Sequence, residues 1–268
     1  MKLSVVIPCF NDGHFLNEAI ESVLSYTEQP IEIIVVNDGS TDEYTLTTLE
    51  RLKKKSIRVL SHANQGLAYT RNRGISEANG KYILPLDADN KIKADYIKKA
   101  LLLLDSGSCD IVYAKPFFFG EDIPERKFET HKFDGFGLLR YNYIDACAIY
   151  RKSVWEKTGG YDEEMPFQGN EDWDFWLNSF IAGFKFEFID DELFGYRISA
   201  ISMIANVSKE KTENNANYIL LKHKDYILNQ LGEGLCYKAF YENDQRSYLR
   251  TILKYATLLF KKLIFSNK

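Results

Sequence analysis

The chain has 268 residues, of which 45% are hydrophobic and 27% charged. That balance supports a packed core in one large domain or two close halves, and excludes disorder as the main state. The net charge of −4 argues against a general nucleic-acid binder, which would be basic overall.

In chain order, Leu3–Ile7 is a β-branched run that Pro8 is expected to end. Asp12 is placed to cap a helix whose apolar face is Leu16, Ile20, Val23 and Leu24. Ile31–Val36 predicts a second buried strand, Glu43–Lys55 a helix, Ile57–Leu60 a strand and Gly66–Ala78 a helix. Tyr82–Leu86 predicts a fourth strand and Ala94–Leu104 another helix. Strands apolar throughout and separated by helices predict a mostly parallel α/β sheet covered on both faces. Its ligands should sit beyond the carboxyl ends of the strands. Further on, Ile111–Tyr113 and Tyr143–Tyr150 read as strands. The Phe-rich stretch Lys115–Asp134 has no period and reads as a flap, Gly159-Gly160 stops the segment Trp155–Tyr161, and Glu171–Ala182 is helical. From Val207 onward the pattern is helical to the end.

Three divisions follow: two halves of one domain at 1–108 and 109–206, and a C-terminal helical extension at 207–268. The stretch 246–268 holds Arg246, Arg250, Lys254, Lys261, Lys262 and Lys268 and no acid. Its apolar positions from Tyr248 to Phe265 recur at helical spacing. That suits a helix packed on the core or a partner, or one lying on an anionic membrane. The cysteines, Cys9, Cys109, Cys147 and Cys236, form no CxxC pair, so a reducing, cytoplasmic setting is expected. No signal peptide and no transmembrane helix are expected either.

Four segments carry residues suited to chemistry. Asp87-Ala88-Asp89 follows a fully apolar strand, and hard divalent cations bridge such carboxylates to substrate phosphates. Its bland alternative is a turn with a helix cap. Asn37-Asp38-Gly39-Ser40 also follows a strand, and reads either as a turn or as an acceptor for a base or ribose hydrogen. Gly66 opens a helix whose second turn holds Arg71 and Arg73, suited to phosphate recognition or to plain solvation. Glu171-Asp172 begins a helix among tryptophans. The helix dipole favours acids there, and burial against an indole would lift a carboxylate into the range of a general base.

Together these segments resemble the inverting family 2 glycosyltransferases of GT-A fold. The match runs in order through Val5–Asn11, Val35–Asp42, Asn64-Gln65-Gly66 with Arg71-Asn72-Arg73-Gly74, Asp87-Ala88-Asp89, Gly159-Gly160-Tyr161-Asp162 and Glu171-Asp172. It covers roughly residues 1–200. The resemblance implies a nucleotide-sugar donor, most often a UDP-sugar, and a divalent metal, Mn2+ or Mg2+. It places Pro8 and Phe10 at the nucleobase, Asp38 on the base N–H, and Gly66 and Arg71 on the nucleotide. Asp87 would meet the ribose and Asp89 the metal. Asp172 would be the general base, with Glu171 orienting it or the acceptor. Arg197 matches a late position where a basic residue meets the diphosphate. Phe10 stands where the family often has tyrosine, and Asn37 where it often has an acid.

The implied reaction moves a sugar to a hydroxyl of a saccharide or lipid-linked acceptor, in surface polysaccharide or glycolipid synthesis. The segment from Cys109 to Arg197, including Asp145, would shape the acceptor site. Peripheral membrane contact would fall to residues 246–268. Two other readings stand beside it. A nucleotidyltransferase would need a basic loop near the N-terminus, and Pro8–Gly13 has no lysine or arginine. A non-catalytic nucleotide- or sugar-binding module would not need both Asp87-Ala88-Asp89 and Glu171-Asp172.

Overall fold

A computed structural model describes residues 2–55, 57–121, 127–199 and 208–232. The chain divides into a compact unit, Met1–Ile219, and a second, Leu220–Lys268. In the second, residues 224–232 are helical. The basic stretch 246–268, with its amphipathic pattern, and Cys236 lie outside the described residues. Among the described residues no helix is long and apolar enough to cross a membrane.

The strands of the first unit are β1 (Leu3–Cys9), β2 (Ile31–Asp38), β3 (Arg58–His62), β4 (Tyr82–Pro85), β5 (Lys91–Ile92), β6 (Ile111–Gly120), β7 (Ile149–Arg151) and β8 (Phe186–Ile198). They form one sheet in the order β3-β2-β1-β4-β7-β6-β8-β5. The ladders β3-β2-β1-β4 and β6-β8 are parallel, while β7 and β5 pair antiparallel with their neighbours. The mostly parallel α/β expectation is met. β1 leads to β2 and β3 on one side and meets β4 on the other. The gap beyond the carboxyl ends of β1 and β4 is therefore the topological switch point, where such sheets bind ligands.

Helices cover both faces: α1 (Gly13–Leu24), α2 (Glu43–Lys54), α3 (Leu67–Ser76), α4 (Ala94–Ser106), α5 (Gly135–Leu138), α6 (Lys152–Thr158), α7 (Glu171–Ile181) and α8 (Lys209–Lys222). Alternation along the strands assigns the faces. Val5, Ile7, Ile33 and Val35 join a core with α1 and α4 residues such as Leu16 and Ile97. Val6, Ile34 and Val36 join the opposite core with Trp173, Phe175 and Trp176 of α7. On that face Gly74 lets α3 lie against the sheet, because a Cβ there would stand 2.4 Å from Val6 Cγ1.

Several expectations are corrected. Pro8 does not end β1; it pairs with Val36 inside the strand. The carbonyl of Val6 takes the N–H of Leu86, so residues 6 and 8 face β4. β4 stops at Pro85, and Pro8 needs no donor where its neighbour has left the ladder. Leu24 is 55% exposed and outside the α1 core face. Asp12 occupies the cap position of α1 without a side-chain bond; Thr45 Oγ1 accepts the Gly13 N–H instead, at 2.9 Å. The flap expected from residue 115 is strand as far as Gly120, paired along β8, which the sequence reading did not predict. Bulges around Lys115 and Pro116 erase the period. The strand expected at Tyr143–Tyr150 shrinks to Ile149–Arg151.

Candidate functional site

Two cavities adjoin at the switch point. The first, about 630 Å³, lies between the loop after β1 and the loop after β4. It is lined by Pro8, Phe10, Asp12, Asp38, Asp87 and Asp89, among others. Phe10 is 46% exposed at its lip, an aromatic face open to a planar ligand. The second, about 350 Å³, holds Asp145, Glu171 and Asp172. Asp87, Leu67, Gln168 and Tyr196 line both.

The first cavity gathers acids. Burial, then the charges of Asp87 and Asp12, lift the Asp89 carboxyl to about 7. Burial and Asp87 lift Asp12 to about 6. No side-chain cation hydrogen-bonds Asp12 or Asp89 among the described residues; Arg197 Nε instead donates to the Asp89 carbonyl at 2.8 Å. Arg197 is held by Glu18, lies over the rings of Phe15 and Phe119, each at 4.4 Å, and its N–H meets Asn90 at 2.9 Å. Oxygen donors that raise one another's proton affinity suit a hard divalent cation completed by phosphate and water. Among the described residues, no three Asp, Glu, His or Cys side chains close into a cage by themselves.

The lip of the first cavity is fixed by hydrogen bonds to backbone. Asn11 has φ 59°, and its side-chain oxygen takes the N–H groups of Thr41 and Asp42 at 2.8 and 3.0 Å. Asn37 accepts the Ser40 N–H at 2.9 Å, so an amide is used there as a turn clamp. Asp38 lines the cavity, but its two oxygens already accept from the N–H groups of Gln65 (2.7 Å) and Gly66 (3.0 Å). Gly66 has φ 89°, which admits the turn into α3.

Arg71 lies elsewhere than the sequence reading placed it. It is 1% exposed and reaches the second cavity, not the first. Its Nη1 donates to Glu171 at 2.5 Å and its Nη2 to Asp87 at 2.6 Å, over the Tyr161 ring at 5.5 Å. Burial opposes its charge, but Asp87 and Glu171 outweigh that and hold it protonated. Glu171 is likewise committed, its second oxygen taking the Gly169 N–H at 3.0 Å. The pair is a pin between the two cavities.

Asp172, one position on, faces the second cavity together with Asp145. Burial and neighbouring Glu171 lift it to about 7, against the pull of Arg71, the Trp173 N–H and the Asn142 amide at 2.9 Å. Asp145 is lifted to about 8 by burial and Asp87, while the Cys147 N–H opposes at 2.8 Å. Tyr196 stands where the cavities meet. Burial and the charges of Asp145, Asp87, Asp89 and Asp172 raise its phenol, which stays a donor.

Sequence reasoning missed Asn142, Gln168 and Asn215. Asn215, on α8, is fully buried. Its amide donates to the carbonyls of Gly169 (2.7 Å) and Phe167 (3.0 Å) and accepts the Phe167 N–H at 3.1 Å, fixing the loop before Glu171. The left-handed Gly169 and Asn170 (φ 98° and 70°) lie inside that loop. The helix start at Glu171 was legible, but nothing near residue 215 announces the clamp. Asn72, within an expected motif, proves to tie two motifs together: it accepts from Trp155 Nε1 and the Tyr161 N–H, at 2.8 and 2.9 Å.

A family model described as Glycosyl transferase family 2 matches residues 4–175. An uncharacterized glycosyltransferase of Rickettsia felis is 32% identical over 208 residues, 74% of this chain and 33% of that protein. The uncharacterized glycosyltransferase EpsJ of Bacillus subtilis is 28% identical over 210 residues, 73% of this chain and 60% of its own length. The chain thus matches only part of the length of these relatives. Among solved structures, S. aureus TarS 1–349 in complex with UDP-GlcNAc matches with a TM-score of 0.64 at 22% identity, covering 80% of this chain and 64% of that one. At that identity the likeness is one of fold, the GT-A architecture expected above. Since the family model takes in strands β1 to β7, both cavity-lining loops and the start of α7, the chain belongs to glycosyl transferase family 2.

Proposed function

We propose that the chain transfers a sugar from a UDP-sugar to a hydroxyl of a saccharide or lipid-linked acceptor in surface polysaccharide or glycolipid synthesis, inverting the anomeric centre. The observation that carries this reading is the junction at Asp87 of an acid-lined cleft with an aromatic lip and a pocket holding two elevated carboxylates, Asp172 and Asp145, with no ion-pair partner among the described residues. The UDP-GlcNAc and UDP held by TarS in two solved structures of the same fold support the donor class.

Phe10 and Pro8 hold the base, while Asp38 shapes its pocket through Gln65 and Gly66. Asp89 would hold a divalent cation, Mn2+ or Mg2+, with Asp12 and Asp87 alongside. When bound, that cation supplies positive charge where the departing diphosphate gains negative charge. Arg197, already oriented by Asn90 and Glu18, adds a fixed positive charge at the same end. Asp172 takes the proton of the acceptor hydroxyl as its oxygen attacks the sugar from the side opposite UDP. One base and one displacement give inversion. A pKa near 7 suits a base working near neutral pH. Asn142 aims the carboxylate, and the Arg71–Glu171 pair keeps its neighbour's charge from raising it further.

Calorimetric titration of UDP, with and without Mn2+, against GDP and CMP tests the donor side. Metal-dependent UDP binding at about micromolar Kd, near −8 kcal/mol, is expected. Folded protein that binds none of the three nucleotides would refute the reading.

A further inference from the structure

A third cavity, about 750 Å³, opens between β6, β8 and residues 128–133. It meets the Asp172 pocket at Phe128, which lines both. Its walls differ from the core. Phe118, Phe128, Phe133, Phe186 and Phe188 all keep part of their surface in solvent. The rings are nonetheless fixed by one another. Phe133 lies flat on Phe186, with centroids 4.3 Å apart and planes at 7°, and Phe118 meets Phe128 edge-on at 5.4 Å. A ligand docking on them would not have to order them first. Around the rings stand Glu129, Lys132 and Glu187. Lys115 and Asp190 on the same wall are paired with each other. Thr130 is only 7% exposed, and its hydroxyl has no hydrogen-bond partner among the described residues. Such a group is unfavourable until something completes it.

We propose that this cavity is a distal subsite for a linear, uncharged oligosaccharide whose acceptor end reaches the Asp172 pocket past Phe128. The proposal rests on the glycosyl-transfer reading above and names its acceptor class. A pyranose has a C–H-rich face and a hydroxyl rim, which match fixed rings bordered by polar groups and one unsatisfied hydroxyl. An alkyl chain would leave Thr130 and the rim acids unmatched. A polyanion would meet Glu129 and Glu187 against Lys132, with Lys115 already held by Asp190.

The test is calorimetric titration of the full chain, with UDP present, using glucose, maltohexaose, cellohexaose and chitohexaose. At least one hexasaccharide is expected to bind about tenfold or more tighter than glucose. Thr130→Val keeps the side-chain shape and removes a hydroxyl that bonds to nothing, so the fold is retained. It and Phe133→Ala should each weaken that hexasaccharide about fivefold, with UDP affinity unmoved. If Phe133→Ala fails to fold, Thr130→Val decides alone. Equal affinity for hexasaccharides and glucose would overturn the proposal, as would variants that bind like the parent. A gain conferred by an alkyl tail (dodecyl maltoside over maltose) would also overturn it. Absence of UDP binding would sink the donor reading instead, while the sugar titrations without UDP still report on the subsite.

Discussion

The two adjoining cavities treat their acids in opposite ways. In the cleft between β1 and β4, Asp12 and Asp89 face each other and Asp87 with no side-chain cation bonded to either among the described residues, and both are lifted. In the pocket under α7, Glu171 is neutralised by a buried guanidinium that also reaches Asp87. The first arrangement leaves its acids without an opposing side-chain charge, which fits the cation proposed above. The second balances Glu171 internally and leaves two elevated carboxylates, Asp172 and Asp145, without such a partner. That arrangement fits the proton transfer proposed for Asp172.

The largest expected effect comes from removing that carboxylate. Asp172→Asn should lower kcat by about 10²- to 10⁴-fold while UDP affinity stays within about twofold. The parent's kcat/KM should rise with pH through about 7 and that limb should vanish in the variant. Near-parental turnover would erase the distinction between the cavities. Next, Arg71→Met breaks a buried ion pair on both sides, at a cost of about 3–5 kcal/mol. That should lower Tm by roughly 10 °C or more. A smaller loss is expected for Phe10→Ala, which should weaken UDP by about 1–3 kcal/mol, or about fivefold to 150-fold, without moving Tm. A gentler sharpening uses pH. Asp172 and Asp145 hold protons in the folded state that ordinary carboxylates release near pH 4. Their contribution to stability is present below that pH and fades as pH rises through 7 to 8. Tm of the unliganded chain should therefore decline between pH 5 and 8, and less so in Asp145→Asn. A flat profile in the parent would show that these acids are not elevated.

The parallel sheet and the switch-point loops were legible, because buried strands and the turns after them leave local patterns, and Phe10, Asp87, Asp89 and Asp172, singled out on those turns and at a helix start, line the two cavities. Arg71 was visible as a residue but not in its role. Whether an arginine meets solvent, nucleotide or two carboxylates depends on Glu171, one hundred positions away. β8 escaped notice because its outward acids, such as Asp190, Asp191 and Glu192, interrupt the apolar run. The β6 stretch escaped because bulges shift its register at Lys115 and Pro116. Asn215 escaped because a single buried amide in a polar helix has no period to betray it.

That amide also bears on how pieces of this chain can be exchanged or shortened. The matched family segment stops at residue 175, whereas the carbonyls before Glu171 are held from position 215. A protein cut after β8 would keep every motif, Arg197 included, yet lose the brace on the loop before Glu171. A chimera that grafts another relative's residues 109–206 would need to carry its own equivalent of α8, or leave the loop that leads into Asp172 unbraced.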